Sequence, residues 1–366
     1  MLGGSISHPR NRLSMEPYTK IAPLFSTYFL PIRLSVLVTW PLFKVGTKMK
    51  TIGFPISCKE NESRRAIVPK HIAMMHAPQS LFFEHGYGET LGLVDSEYEN
   101  LGCRMCTRSE ALEQNIICEV KVGEGGYLES LHRGQTVFGW IHAVQSKGIT
   151  ETLVRNGLTG YAWENMFSKN RNVFWRNNEI AGEAAILHSF QCYGRMPYQT
   201  NVAVIGRGNT ARGAMRMLNM LGADVTQYGR NDEAVLRSEL HAYDVLVNCV
   251  LWDEERKDHI ISRQDLKLMK RNSMIVDVSC DEHGAIESSH PTTISNPVFY
   301  DSGVLHYVVD HTPALFGKTS SEAVSEAAFE YLDCLALEQS NDTLEQSLAV
   351  RDGIILDPEI TRYQDR

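Results

Sequence analysis

Asn201-Val202-Ala203-Val204-Ile205-Gly206-Arg207-Gly208-Asn209-Thr210-Ala211-Arg212-Gly213 is the stretch from which the fold can be read. Residues 202–205 are apolar and rich in β-branched side chains, which reads as a strand, and the run stops at Gly206 and Gly208. Ala214, Met217, Leu218 and Leu221 then recur at helical spacing, and a second β-branched run follows Gly222. A strand, tight turn, helix and strand in this order uses Gly206 for the turn and Gly208 for close backbone approach to a pyrophosphate. It uses the small Ala211 to pack the helix on the sheet. Amides at the helix start, from Asn209 onward, then face the phosphates. A site for NAD usually ends the second strand with Asp or Glu to bond the ribose 2′-hydroxyl. Here Gly229 and Arg230 stand there. A guanidinium in that place suits a 2′-phosphate, so the expected cofactor is NADP(H).

Outward from this stretch the chain reads as α/β. Candidate strands at 52–56, 81–84, 116–120, 136–141 and 158–162 alternate with candidate helices at 69–77, 96–101, 108–114 and 147–155. Residues 179–193 read as a long helix with small residues on one face. Further strands are expected at 245–250 and 273–278, a crossover helix at 262–270, and a C-terminal helix at 321–337 that returns to the first domain. The architecture expected is two domains with a cleft between them. A Rossmann-type dinucleotide-binding domain spans 179–319, and a second α/β substrate domain is built from 49–178 and 320–366. Residues 1–48 look different, because Glu16 is their only acidic residue and their apolar run is broken by Pro23, Pro31, Arg33 and Pro41. Such a run is too interrupted for a membrane span. It also lies too far from the N-terminus for a signal peptide, although the composition fits a transit peptide. The expectation is that the folded enzyme starts at Met49, downstream of an extension that is disordered or not part of the protein's fold.

With 366 residues there is room for two cores. A net charge of -8 leaves no basic footprint for nucleic acid, so small molecules are the expected partners. Eight cysteines are scattered and only Cys103 and Cys106 lie close together. No second pair or histidine cluster completes a zinc site, and no metal is expected. Cys103-Arg104-Met105-Cys106 reads instead as a short strand, and reduced thiols fit a cytoplasmic protein.

Several residues could carry chemistry. Arg64 and Arg65 lie in a loop between a strand and a helix that starts at Pro69, where a guanidinium can grip a carboxylate. Lys121 and His142 each follow an apolar run and so sit at the carboxyl ends of strands, the usual ligand edge of such sheets. Asp281 emerges past another strand, and Asp310-His311 forms a further polar pair. Taken alone, the last two also suit a turn residue and a buried hydrogen-bonded pair.

These residues stand in segments that together resemble the alanine dehydrogenase and pyridine-nucleotide transhydrogenase family. The relevant segments are Glu62-Ser63-Arg64-Arg65-Ala66-Ile67-Val68-Pro69, Val120-Lys121, Trp140-Ile141-His142, Glu179-Ile180-Ala181-Gly182, the glycine turn, 275–281 and Gly303-Val304-Leu305-His306-Tyr307. The resemblance covers nearly all of the chain after Met49 and extends to the lysine-forming saccharopine dehydrogenases and the carboxyethylornithine synthases. It implies that Arg64 holds a keto-acid carboxylate, Lys121 bonds the carbonyl and carboxylate, His142 is the acid/base, and Asp281 orients the reacting centre beside the nicotinamide. It also implies a homo-oligomer. Three departures separate the chain from alanine dehydrogenase. Gly229-Arg230 replaces the acidic residue, Val122-Gly123 follows Lys121 where that enzyme has Glu-Pro, and Asp310-His311-Thr312-Pro313 looks more like the saccharopine dehydrogenases. Within the family the pattern then points to the carboxyethylornithine synthases. The implied reaction is NADPH-dependent condensation of pyruvate with the side-chain amine of ornithine or lysine, with Asp310 or His311 at the amino acid. The alternatives are an alanine dehydrogenase using ammonia, a saccharopine-type enzyme using 2-oxoglutarate, a transhydrogenase subunit, or a non-catalytic NADPH-binding protein.

Overall fold

The computed structural model describes residues 49–253, 255–282 and 284–366; the extension expected at 1–48 lies outside the described residues. The first sheet has eight strands, in the order Ile354–Ile355, Leu348–Arg351, Thr159–Ala162, Thr136–Gly139, Ile116–Cys118, Ile52–Phe54, Leu81–Glu84 and Arg104–Cys106. Its six strands from 52–162 pair in parallel, and the two C-terminal strands add an antiparallel edge. The second sheet runs Asp224–Tyr228, Asn201–Ile205, Val245–Asn248, Met274–Asp277, Val304–Tyr307 and Val298–Asp301. Only the last of these is antiparallel. Parallel strands covered on both faces need continuous apolar runs, and Val245–Asn248 and Met274–Asp277 are buried at every position.

Each sheet has apolar cores of its own. Ile52, Phe54, Leu81, Phe83, Ile116 and Phe138 lie in one, and Val202, Val204, Val245, Val247, Met274 and Val276 in another. The helix Gly317–Ala336 leaves the second sheet and buries Val324, Ala328 and Leu332 in the core of the first, as expected. The long helix Trp175–Tyr193 starts four residues earlier than its sequence suggests and packs against Asn209–Met220.

The helix expected at 69–77 keeps only Pro69–Ile72, because the Asp333 carboxylate takes the backbone N–H groups of His76 and Ala77 at 2.8 and 3.2 Å. The crossover helix expected at 262–270 is a single tight turn, Asp265–Leu268. Ile261 is held in a bridge to Ile286, and the Asp265 carboxylate is taken up by the backbone and hydroxyl of Ser262, which leaves too little chain for longer helix. Cys103-Arg104-Met105-Cys106 is the expected short strand at the sheet edge; burial pushes the Cys103 thiol up to about 12 and the Cys106 thiol up to about 11. Thiols held protonated in this way are inert rather than reactive.

Candidate active site

The crossovers of the second sheet leave strand Asn201–Ile205 in opposite directions, toward Asp224–Tyr228 on one side and Val245–Asn248 on the other. A crevice opens outside the strand ends at such a switch point. A cleft of about 1130 Å³ lies there, reaching from the glycine turn to the carboxyl ends of the first sheet's strands. Gly206 has φ 111°, and a Cβ on it would stand 2.9 Å from the Cys249 carbonyl, so the turn admits only glycine. A Cβ on Gly208 would meet no protein atom within 4 Å. Gly208 therefore faces open cleft at the N-terminus of the helix Asn209–Met220, as a phosphate-approach glycine should. Gly208→Val is expected to leave the melting temperature nearly unchanged and to weaken dinucleotide binding by at least about 10²-fold, because only the ligand would meet the new side chain. Thermal unfolding and a titration with NADPH check this; normal binding by the variant would show that no pyrophosphate lies on this turn.

Asn209 also lines the cleft, and Ala211 is fully buried under the helix. Past the second strand, Arg230 is exposed on the cleft wall. Arg207, not singled out from sequence, also lines the cleft and lies beside Gly229: a Cβ on Gly229 would be 3.2 Å from the Arg207 Nε. The nearby Asp232 carboxylate accepts the Gly229 N–H at 2.7 Å.

Lys121 and His142 are brought together on neighbouring strand ends of the first sheet. Gly123 follows Lys121 so closely against the next strand that a Cβ on it would stand 2.0 Å from the Ile141 carbonyl. His142 has φ 54°, unusual for a residue with a side chain, and the Glu164 carboxylate holds the turn by accepting its N–H at 2.6 Å and that of Ile141 at 3.2 Å. Strain so compensated is common at functional positions. Facing them from the second sheet is Asp281, on a turn in which the buried Asp277 carboxyl accepts the N–H groups of Ser279 and Cys280, both at 3.2 Å. Burial pushes that Asp277 carboxyl up.

One carboxylate ties these groups together and was not singled out from sequence. Glu124 accepts from Lys121 Nζ at 2.9 Å, lies 3.7 Å from His142 Nδ1, and also takes Lys59 Nζ. Burial pushes the Glu124 carboxyl up, but His142, Lys121 and Lys59 together hold it well below the usual carboxylate range. Lys59 Nζ in turn donates to Asp310 at 2.7 Å, and the other Asp310 oxygen meets His311 Nδ1 at 2.5 Å. The Asp310 carboxyl is likewise raised by burial and lowered further by His311 and Lys59, ending below its ordinary value.

Of the expected site residues, Lys121, His142, Asp281, Asp310, Gly206, Gly208, Asn209 and Arg230 line the cleft, whereas Arg64 and His311 do not. The Arg64 guanidinium is buried, forks onto Glu62 at 2.8 and 2.5 Å, and lies 5.3 Å from the ring centre of Trp140, a residue of the cleft wall. His311 is buried too, with Nε2 donating to the Glu60 carbonyl at 2.8 Å.

A dinucleotide turn facing a lysine, a histidine and an aspartate across one cleft defines a class, a two-sheet dehydrogenase that binds a nicotinamide dinucleotide and a small polar substrate. The comparisons name the family. Residues 53–178 match the model of "Alanine dehydrogenase/PNT, N-terminal domain" and residues 229–361 that of "Alanine dehydrogenase/PNT, C-terminal domain". The chain belongs to the alanine dehydrogenase/PNT family of nicotinamide-dinucleotide-dependent dehydrogenases. It is 30% identical over 305 residues to the N(5)-(carboxyethyl)ornithine synthase of Clostridium botulinum, covering 78% of this chain and 95% of that one. Alanine dehydrogenase 1 of Staphylococcus aureus is 25% identical over 345 residues, 84% of this chain and 91% of that one. Among solved structures, an L-alanine dehydrogenase superposes with a TM-score of 0.73 at 22% identity, over 86% of this chain and 99% of that one. The transhydrogenase from Sinorhizobium meliloti does so with 0.70 at 18% identity, over 84% and 99%.

Proposed function

We propose that this enzyme uses NADPH to condense pyruvate reductively with the side-chain amine of ornithine or lysine, giving an N-(1-carboxyethyl) amino acid. The observation that carries the reading is the meeting of Lys121 and His142 on one wall with Asp281 opposite, in front of the glycine turn. Lys121 binds and polarises the keto acid, and His142 donates and accepts protons as the carbinolamine loses water, a task suited to an imidazole, which can act as both proton donor and proton acceptor. NADPH supplies the hydride. Asp281 orients the reacting centre, and Asp310 reaches the amino-acid substrate from the cleft wall. Arg64 acts from behind Trp140 as part of the keto-acid wall, and His311 acts by holding Asp310.

Relatives named N(5)-(carboxyethyl)ornithine synthase favour this reaction over use of ammonia, and Arg230 with Arg207 favours the phosphorylated cofactor. Eight free thiols suit a reducing cytoplasm, and we expect a soluble homo-oligomer there. Among the described residues no helix is long and apolar enough to cross a membrane, and no cluster of His, Cys, Asp or Glu could hold a metal. The test is mass spectrometry of the product formed from NADPH, pyruvate, ornithine and ammonium together. The carboxyethyl derivative of ornithine is the expected product; alanine alone would assign the chain to ammonia-dependent chemistry.

A further inference from the structure

The proposed reaction gives no role to the carboxylate of Glu124, which lies at the centre of the cationic side chains. Its two oxygens are divided between two ammonium groups, Oε1 on Lys121 at 2.9 Å and Oε2 on Lys59. Lys121 and Lys59 come from different segments, the end of strand Ile116–Cys118 and the loop after Ile52–Phe54, so nothing local in the chain requires them to meet. Both side chains are largely shielded from water, 8% and 14% exposed, whereas Glu124 is 33% exposed and lines the cleft. Two shielded ammonium groups bridged from the cleft side by one carboxylate form a carboxylate-binding site whose occupant is part of the chain. Placing two ammonium groups so close without an anion would be costly, so the site calls for some carboxylate.

We propose that Glu124 is a built-in second carboxylate: it fills the place on Lys121 and Lys59 that the distal carboxylate of a dicarboxylic keto acid would take, and so restricts the enzyme to keto acids with a single carboxylate. The inference rests on Lys121 being the keto-acid ligand. Pyruvate needs only the remaining donor capacity of Lys121, whose ammonium has three N–H groups. A longer dicarboxylate would meet Glu124 and Asp310 at its far end, two negative charges already in place. Like charge at short range is an effective means of rejecting the wrong ligand. Asp310 holds Lys59 from the other side at 2.7 Å, which keeps its ammonium in place beside Glu124.

The test compares pyruvate with 2-oxoglutarate at saturating NADPH and amine, in the unmodified enzyme, in Glu124→Gln and in the double variant Lys59→Met with Glu124→Gln. In Glu124→Gln the ratio of kcat/KM for 2-oxoglutarate to that for pyruvate is expected to rise about 10- to 100-fold, the worth of one or two charge-assisted hydrogen bonds. The double variant should lose that gain, because the freed ammonium of Lys59 is what would hold the distal carboxylate. Calorimetric binding of 2-oxoglutarate to each protein with NADP+ present reads the same preference without turnover, and an unchanged NADPH affinity shows that the variants are folded. An unchanged ratio and unchanged affinity in Glu124→Gln would overturn the proposal, as would a gain that survives loss of Lys59. If the unmodified enzyme itself prefers 2-oxoglutarate, both this proposal and the reading of pyruvate as substrate fall. If it uses pyruvate and Glu124→Gln shows no gain, only the role of Glu124 falls.

Discussion

Replacing His142 by alanine is expected to lower kcat for reductive condensation by about 10³-fold while leaving NADPH affinity within about twofold. His142 stands at a strand end held by Glu164, with its Nδ1 toward Glu124 and its side chain open to the cleft. On the proposed mechanism its loss removes proton transfer and leaves the glycine turn in place. Lys121→Met should differ in kind: the keto-acid KM rises along with the fall in kcat, since in the proposed reaction the ammonium both binds and polarises the substrate. Steady-state kinetics with a separate NADPH titration resolve the two. A His142→Ala enzyme with kcat near that of the unmodified protein would remove histidine from the chemistry.

Cofactor choice should be the second large effect. With Arg207 and Arg230 both replaced by serine, the preference for NADPH over NADH is expected to fall by about 10²-fold or more, since each guanidinium bonded to a phosphate contributes about 1.5–3 kcal/mol. Arg207 lies over Gly229 and Arg230 follows it, so both flank the strand end where the adenosine ribose of a dinucleotide rests. Asp232 is the acidic residue nearest this end, but its Oδ2 is engaged by the Gly229 N–H. Kd values for the two cofactors, measured by fluorescence in both proteins, check the expectation. An unmodified enzyme that binds NADH as tightly as NADPH would show that the arginines do not read a phosphate.

The fold was legible because its central parallel strands are buried on both faces and therefore appear as unbroken apolar runs, with the glycine turn marking the order. Strand Leu81–Glu84 and helix Lys147–Arg155 fall where the sequence places them. The hairpin Phe167–Ser168 with Arg171–Asn172 and the edge strands Leu348–Arg351 and Ile354–Ile355 were not legible, because each is very short and takes its form from the partner strand. The site followed the same division. Lys121, His142 and Asp281, which line one cleft, could be singled out because strand ends are ligand edges. Glu124, Lys59 and Arg207 could not, since their meaning lies in contacts between distant segments, such as the 251 residues that separate Lys59 from Asp310. Arg64 shows the converse. Its type and position suggest a substrate clamp, yet only the structure shows its fork closed on Glu62.

In the proposed function the cleft joins a keto acid to an amino acid's amine at the expense of NADPH. NADPH oxidation with pyruvate, comparing ornithine, lysine and ammonium as amines at equal concentration, is the deciding measurement. Oxidation is expected to depend on ornithine or lysine, to be much slower with ammonium, and to be lost in His142→Ala. Oxidation supported by ammonium alone would contradict it and make the enzyme an NADPH-using alanine dehydrogenase.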